Sequence, residues 1–343
     1  MKNGPDMVDM PQKWVAFRLG HLGDVALTTG VLAVLGENKG WSFTVVTQKP
    51  WADIFTHHPY VTHTIALEAK DLKTGPFLAF CRRLATEHQR NDRRTGLLDL
   101  HGSLRARLLS LFWRGPVLHY PKMSLERRMF LFTGKRLYGD RLRASTVAQR
   151  YYMAVDTPAP PPNALLPRIP LTDAEHSEAH ARLHTLFPNP TVPVVLHPYA
   201  THTLKAWPET HWRKLAALLD DKGIPWIVLG KGKALFSGDA RDMSNATSLR
   251  ESCALIACCR ALISGDSGPM HLAVAAGVPV IALFGPTTQE WGFFPTGPHD
   301  IVLESALPCR PCSLHGKTDC SRSGECLTII SPEQILRVIE GIP

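Results

Sequence analysis

No apolar run in the sequence approaches the roughly 18 to 20 residues that a bilayer-spanning helix needs. Residues Met1–Met10 carry Asp6 and Asp9 and no apolar core, so they do not read as a secretory signal. The expected setting is therefore the cytosol, where thiols stay reduced, and the eight cysteines need an explanation other than an extracellular disulfide framework. Nor is there a G-x-G-x-x-G fingerprint, or an acid at the end of the second strand, which closes Val46-Thr47-Gln48. A nicotinamide-dependent dehydrogenase is excluded on that ground. No G-x-x-x-x-G-K-[ST] passes through Gly230-Lys-Gly-Lys233, so this is not a phosphate loop of the Walker type and reads as a solvated turn. His176, His180 and His184 share a helix face, but His-Ser-Glu-Ala-His is not H-E-x-x-H and reads as an exposed surface.

What is present is a globular composition, 44% apolar and 20% charged, in 343 residues, enough for two domains with separate cores. The net charge of +8 implies an anionic partner. It is concentrated: Arg82 to Arg150 holds 16 Lys/Arg against 5 Asp/Glu, a local excess of +11. Leu104, Leu108, Leu111 and Phe112 recur there in helical spacing, so the stretch reads as amphipathic helices with a basic face. Little aromatic interleaving accompanies the charge, which argues against a nucleic-acid partner.

The order of elements is that of alternating strands and helices, hence parallel sheets with crossover helices. Trp14–Phe17, Ser42–Thr47, Thr64–Leu67, Gly96–Leu100 and Val117–Tyr120 read as strands of a first domain spanning 11–157. Prolines 158, 160, 161, 162, 167 and 170 make 158–171 an extended linker. The alternation restarts over 172–330, with strands at Val192–Leu196, Pro225–Leu229, Ala261–Ser264 and Val278–Phe284, and 331–343 closes as a helix. Two such domains are expected to form a cleft between the carboxyl ends of their sheets.

Three turns carry the chemistry. Gly20-His-Leu-Gly-Asp24 joins a strand to a helix: Gly20 and Gly23 allow close backbone approach, and Asp24 is either a helix cap or a general base for a hydroxyl. Thr201-His-Thr-Leu-Lys205 offers a point charge with hydroxyl neighbours, suited to a diphosphate. Gly265-Asp-Ser-Gly-Pro-Met-His271 opens a helix after a strand, where Asp266 and Ser267 can cap and the N–H groups near Ser267 and Gly268 can cradle phosphate. A fourth group, Cys309, Cys312, Cys320 and Cys326, is spaced C-x2-C-x7-C-x5-C. Half of it suits a zinc site and half does not, so a metal or redox role and free thiols both stay open.

Leu19-Gly-His-Leu-Gly-Asp-Val25, Lys205-Ala-Trp-Pro208, Gly265-Asp-Ser-Gly-Pro-Met-His-Leu-Ala273 and Leu283-Phe-Gly-Pro-Thr287, in this order, resemble glycosyltransferase family 9, the ADP-heptose:lipopolysaccharide heptosyltransferases. Asp99-Leu-His-Gly-Ser-Leu-Arg105 and the cysteine-bearing tail belong to the same likeness. The resemblance implies a GT-B fold, an α/β architecture of two Rossmann-like domains facing each other across a cleft, the acceptor on the first and the nucleotide sugar on the second. It implies inverting transfer of a heptose from ADP-heptose to a lipid A–Kdo acceptor at the inner membrane face, with peripheral membrane contact, no required metal and no further cofactor. Carried onto this sequence, Asp24 resembles the base, Lys205 and Thr201 the diphosphate ligands, Asp266, Ser267, Gly268 and His271 the donor-binding turn, and Gly20, Gly23 and Arg105 the acceptor side. Two departures stand out: Pro269 replaces a usual leucine, and the loop after Leu229 has no ribose-binding acid before Asp239. Another nucleotide sugar, or a non-enzymatic metal- or nucleic-acid-binding role, are the alternatives.

Overall fold

The computed structural model describes residues 10–91, 94–189, 191–313, 316 and 320–342; residues 1–9, on which the reading of the chain start rested, lie outside them. In chain order the elements are β1 (Lys13–Phe17), α1 (Leu22–Lys39), β2 (Ser42–Gln48), β3 (Val61–Leu67), α2 (Thr74–Asn91), β4 (Gly96–Asp99), α3 (Leu104–Phe112) and β5 (Val117–His119). Then follow α4 (Ser124–Phe132), α5 (Gly139–Arg143), α6 (Val147–Tyr152), α7 (Asp173–Leu186), β6 (Val194–His197), α8 (Glu209–Asp221), β7 (Trp226–Val228) and α9 (Leu249–Ala257). The chain closes with β8 (Ala261–Gly265), α10 (Gly268–Ala275), β9 (Val280–Phe284), β10 (Ile301–Glu304), α11 (Glu325–Thr328) and α12 (Pro332–Glu340).

The strands form two five-stranded sheets, ordered β3-β2-β1-β4-β5 and β10-β9-β8-β6-β7. Every pairing is parallel. Helices cover both faces, which is why β4, β8 and β9 are buried along their whole length and read as continuous runs rather than alternating ones. Each sheet has its own core. Val15, Phe17, Val46, Leu97 and Leu109 pack with Phe77 and Leu84 in the first, and Val194, Trp212, Trp226, Ile263, Ile281 and Ile335 pack together in the second. Strand β10 had no counterpart in the sequence reading; its Ile301-Val-Leu-Glu304 is only half-buried at the sheet edge.

In each sheet the strand order reverses once, between β1 and β4 and between β6 and β8. The loops leaving the two strands at such a point diverge and leave a crevice at the carboxyl edge, where open α/β sheets bind ligands. The turns singled out in the sequence, after β1 and after β8, sit at these two places.

The chain divides into two compact units: residues up to Lys122 with Ala148–Arg168, and Met123–Val147 with Ile169 onward. Segment 123–147, drawn within the first domain from sequence, thus packs with the second unit. Phe130 and Leu142 bury against Trp291, with Phe130 and Trp291 edge to face at 6.1 Å. Arg127 donates to the Trp291 carbonyl at 3.0 Å and Arg143 pairs with Glu290 at 2.7 Å. These contacts join residues far apart in sequence, so no local signal announces them.

The proline segment is anchored too. Its 3-10 turn Pro162–Leu165 lies against α1, and Arg168 N–H donates to Thr29 Oγ1 at 2.8 Å. Gly30 makes this approach possible, because a Cβ there would stand 2.0 Å from the Leu166 carbonyl oxygen. Gly30→Ala is expected to lower stability by roughly 1–3 kcal/mol, the usual cost of forcing extra volume into a packed site, seen as a lower urea midpoint at unchanged slope.

Candidate functional site

In the first unit, Asp24 lies in the first turn of α1 and does not cap it; His21 holds the cap position and makes no side-chain cap bond. The Asp24 carboxylate is instead held from two sides. The Arg18 Nη2 stands 2.8 Å from Oδ2, and the Tyr151 hydroxyl donates to Oδ1 at 2.9 Å. Arg18 is only 6% exposed and also donates to the Leu100 carbonyl at 2.9 Å. Burial works against its charge, but Asp24 and then Tyr151 and Tyr120 outweigh that, and its pKa is raised. Burial likewise pushes the Tyr151 phenol well above its usual value, so it stays protonated and can only donate to the carboxylate. Arg18 lies against the Tyr151 ring at 5.6 Å, and Tyr120 packs edge-on to the same ring at 4.9 Å.

His101 stands beside this group, on the loop after β4. Burial first, then the charges of Arg18 and Lys122, push its pKa down to about 3, so the ring is neutral, and its buried Nδ1 has no hydrogen-bond partner. Asp99 shapes that loop by accepting from the N–H groups of His101 and Gly102, both at 2.8 Å, and its other oxygen meets His119 Nδ1 at 3.0 Å. Of the other first-unit candidates, Gly20 lies in the loop and Gly23 in the first turn of α1. Arg105 is exposed, donates to the Leu72 carbonyl at 3.1 Å, and has no contact with the Asp24 group among the described residues. Arg18, His101 and Tyr151 were not picked out from sequence; Tyr151 reaches Asp24 across 127 residues.

In the second unit, Lys205 ends a 3-10 turn, Thr203–Lys205, after β6. Its Nζ pairs with Asp266 Oδ2 at 2.5 Å, and Thr287 Oγ1 donates to the same oxygen at 2.7 Å. The three turns are thereby tied together at the carboxyl edge of β6, β8 and β9. Gly265 permits it, since a Cβ there would sit 2.9 Å from the Lys205 carbonyl oxygen. Thr201 is exposed and lines, with Thr203, Gly316 and Ser323, a cavity of about 840 Å³.

Ser267 occupies the cap position of α10 but makes no side-chain cap bond. Its hydroxyl turns to Ser264 Oγ at 2.9 Å and His197 Nδ1 at 3.4 Å, and Pro269 sits in the first turn. The helix start that Gly268 opens is therefore uncapped by Ser267, which suits a phosphate. His271 is buried on α10, 3% exposed. His197, unremarked in the sequence, is buried at the end of β6, and burial pushes its pKa down to about 4.

The remaining motifs stand apart from the Asp24 and Lys205 clusters. Asp239 is clasped by Arg241 through Nε at 3.1 Å and Nη2 at 2.8 Å, which lowers its pKa, and Asp242 accepts from the Phe236 and Ser244 N–H groups. Gly230 and Gly232 lie against the Tyr199 ring, where a Cβ would come within 2.5 and 2.3 Å. Cys309, Cys312, Cys320 and Cys326 are free thiols, and among the described residues no three His, Cys, Asp or Glu side chains are grouped so as to hold a metal. His176, His180 and His184 lie along α7.

The buried neutral His197 makes stability depend on pH. Unfolded, the ring protonates near its ordinary 6.5, whereas in the fold it resists until about 4, so the unfolded chain binds the extra proton between these values. Stability contributed by the neutral ring is full above pH 6.5 and falls as pH drops toward 4, by roughly 3 kcal/mol. Urea midpoints measured across that window should show the loss, and His197→Gln should flatten it.

Comparison with known proteins bears on both units. A family model for glycosyltransferase family 9 (heptosyltransferase) matches residues 88–319. Lipopolysaccharide heptosyltransferase 1 of Pseudomonas aeruginosa is 27% identical over 324 residues, covering 86% of this chain and 84% of that one. Lipopolysaccharide heptosyltransferase 2 of Escherichia coli K12 is 32% identical over 100 residues, 25% of this chain and 29% of its own length. The solved structure of the E. coli ADP-heptose lipopolysaccharide heptosyltransferase II superposes with a TM-score of 0.69 at 18% identity, over 96% of this chain and 98% of that one, a likeness of fold. With two parallel α/β sheets of this order and a family match across most of its length, the chain has the GT-B fold and belongs to glycosyltransferase family 9, the heptosyltransferases.

Proposed function

We propose that this chain is an inverting glycosyltransferase that moves a heptose from ADP-heptose to the lipid A–Kdo inner core of lipopolysaccharide. The observation that carries the reading is the knot of Lys205, Asp266 and Thr287 at the carboxyl edge of the second sheet, beside the α10 start that Ser267 leaves uncapped. A diphosphate leaving group needs a fixed cation and backbone N–H donors, and this turn cluster supplies both. The named relatives, among them the E. coli ADP-heptose lipopolysaccharide heptosyltransferase II, support the donor and the acceptor class.

The chemistry divides between the units. In the first, Asp24 accepts the proton of the acceptor hydroxyl as its oxygen attacks the anomeric carbon, and Arg18 and Tyr151 hold the carboxylate in one orientation for this. The neutral His101 stands beside this group and adds no positive charge to compete with Arg18 for the Asp24 carboxylate. In the second unit the bond to ADP breaks with its electron pair going to the diphosphate, whose charge Lys205, Thr201 and the N–H groups at Gly268 receive. A single displacement inverts the anomeric centre. Gly20 and Gly23 let the acceptor approach the backbone, Arg105 offers it a cation at the rim, and His271 packs behind the donor turn.

Release of ADP from ADP-heptose in the presence of a heptose-deficient core acceptor tests the reading. Asp24→Ala is expected to cut turnover about 10²–10⁴-fold while leaving ADP binding intact, and Lys205→Ala about 10²–10³-fold with weakened donor binding. Full activity in Asp24→Ala would remove Asp24 from the base role.

One observation favours a second donor: Asp239 and Asp242, the acids that follow β7, are both committed within their own loop, so neither is free to read the ribose of adenosine. Thermal shifts with ADP, UDP, GDP and CMP decide between the two. ADP should give the largest rise in Tm, and a larger rise with another nucleotide would change the donor while keeping the transferase.

A further inference from the structure

Eight large apolar side chains are exposed among the described residues, and four of them fall within fourteen positions of each other: Leu125 at 67%, Phe132 at 86%, Leu137 at 48% and Tyr138 at 40%. They belong to α4 and the turn that leads into α5. The helix is divided between two tasks. Its inner side is tied down by Phe130, buried against Leu142 and Trp291, and by Arg127, which donates to the Trp291 carbonyl. On the outer side Leu125, Arg128 and Phe132 fall at i, i+3 and i+7, one stripe along the helix, and all three are exposed.

Charge accompanies this apolar stripe. Segment 124–143 has six Lys/Arg and two Asp/Glu. Arg127, Lys135 and Arg143 are used inward, on the Trp291 carbonyl, the Pro308 carbonyl and Glu290, and Arg141 leans on Glu126 at 3.5 Å. Arg128 and Arg136 remain exposed beside Leu125, Phe132 and Leu137. Exposed aromatic and leucine side chains alternating with arginine on the outer face of a firmly anchored helix match one environment well, the headgroup layer of an anionic bilayer, which buries the apolar groups and meets the cations at once.

We infer that the outer face of α4 and the following turn, Leu125, Arg128, Phe132, Arg136, Leu137 and Tyr138, is a docking surface for an anionic lipid bilayer. It rests on the proposed function only in that a glycolipid acceptor lies in such a layer. It assigns the contact to a segment packed on the second, donor-binding unit, whereas the net charge alone pointed only to the broad span Arg82–Arg150. Anchoring is reversible: two arginines and a few side chains at the interface correspond to a peripheral contact that salt weakens.

Co-sedimentation of the full chain with vesicles of phosphatidylcholine containing phosphatidylglycerol, and with pure phosphatidylcholine, tests this. Binding is expected to the anionic vesicles, weak binding to the neutral ones, and loss on raising salt. Leu125→Ser with Phe132→Asp should reduce the partition at least tenfold, and Arg128→Glu with Arg136→Glu should reduce it by about fivefold or more per charge. An unchanged thermal shift with ADP shows that each variant is folded. Vesicles that fail to bind the protein, or variants that bind like the parent, overturn the inference. So does a parent protein that self-associates in solution and becomes monomeric with Phe132→Asp, since the face would then be a protein interface. The vesicles contain neither donor nor lipopolysaccharide, so an inactive protein that still binds them refutes only the sugar transfer, and an active one that does not bind refutes only the docking surface.

Discussion

A parallel strand cannot be joined to its neighbour by a tight turn; the chain must cross over, and with right-handed crossovers all strands of a sheet end at the same edge. This one constraint places the two candidate side-chain clusters of the molecule. Because both sheets are wholly parallel, the loops after β1 and β4 in the first unit, and after β6, β8 and β9 in the second, open at the carboxyl edges, and the strand-order reversals part them. Residues from turns tens of positions apart, Lys205, Asp266 and Thr287, meet there without any one of them being special in its own segment.

The first-unit cluster illustrates the energetics of a buried ion pair. Arg18 is almost fully enclosed, so its charge is tolerable only with a partner, and Asp24 is that partner. Removing one member of a buried pair costs about 3–5 kcal/mol because the other is left uncompensated. The carboxylate proposed as the base is therefore also the charge that makes burial of Arg18 tolerable. The Tyr151 phenol, protonated because it is buried, contributes a fixed hydrogen bond that salt does not screen.

Much of this was legible in the sequence. Apolar runs bounded by glycine turns locate the strands other than β10 to within a few residues, and the three turns bearing Asp24, Lys205 and Asp266 read as strand-to-helix junctions. What escaped was non-local. Tyr151, Arg18 and His101 join Asp24 by packing, and none of them stands in a pattern of its own. The edge strand β10, Ile301-Val-Leu-Glu304, is short and only half-buried, and it was not read as a strand. The capping role open to Ser267 looked natural by residue type, but a serine hydroxyl has other partners available, and Ser264 and His197 claim it. Asp239 is the nearest acid after β7, but Arg241, two residues on, holds its carboxylate.

The partition of the chain has an effect on how the molecule comes into being. Segment 123–147 belongs to the second unit while 148–168 returns to the first, so neither unit is a single uninterrupted piece of sequence. During synthesis from the amino terminus, α4 and α5 emerge long before Trp291, the residue that covers Phe130 and Leu142. Until that tryptophan arrives the segment displays apolar groups on both of its sides, Phe130 inward and Phe132 outward, and is open to non-native association.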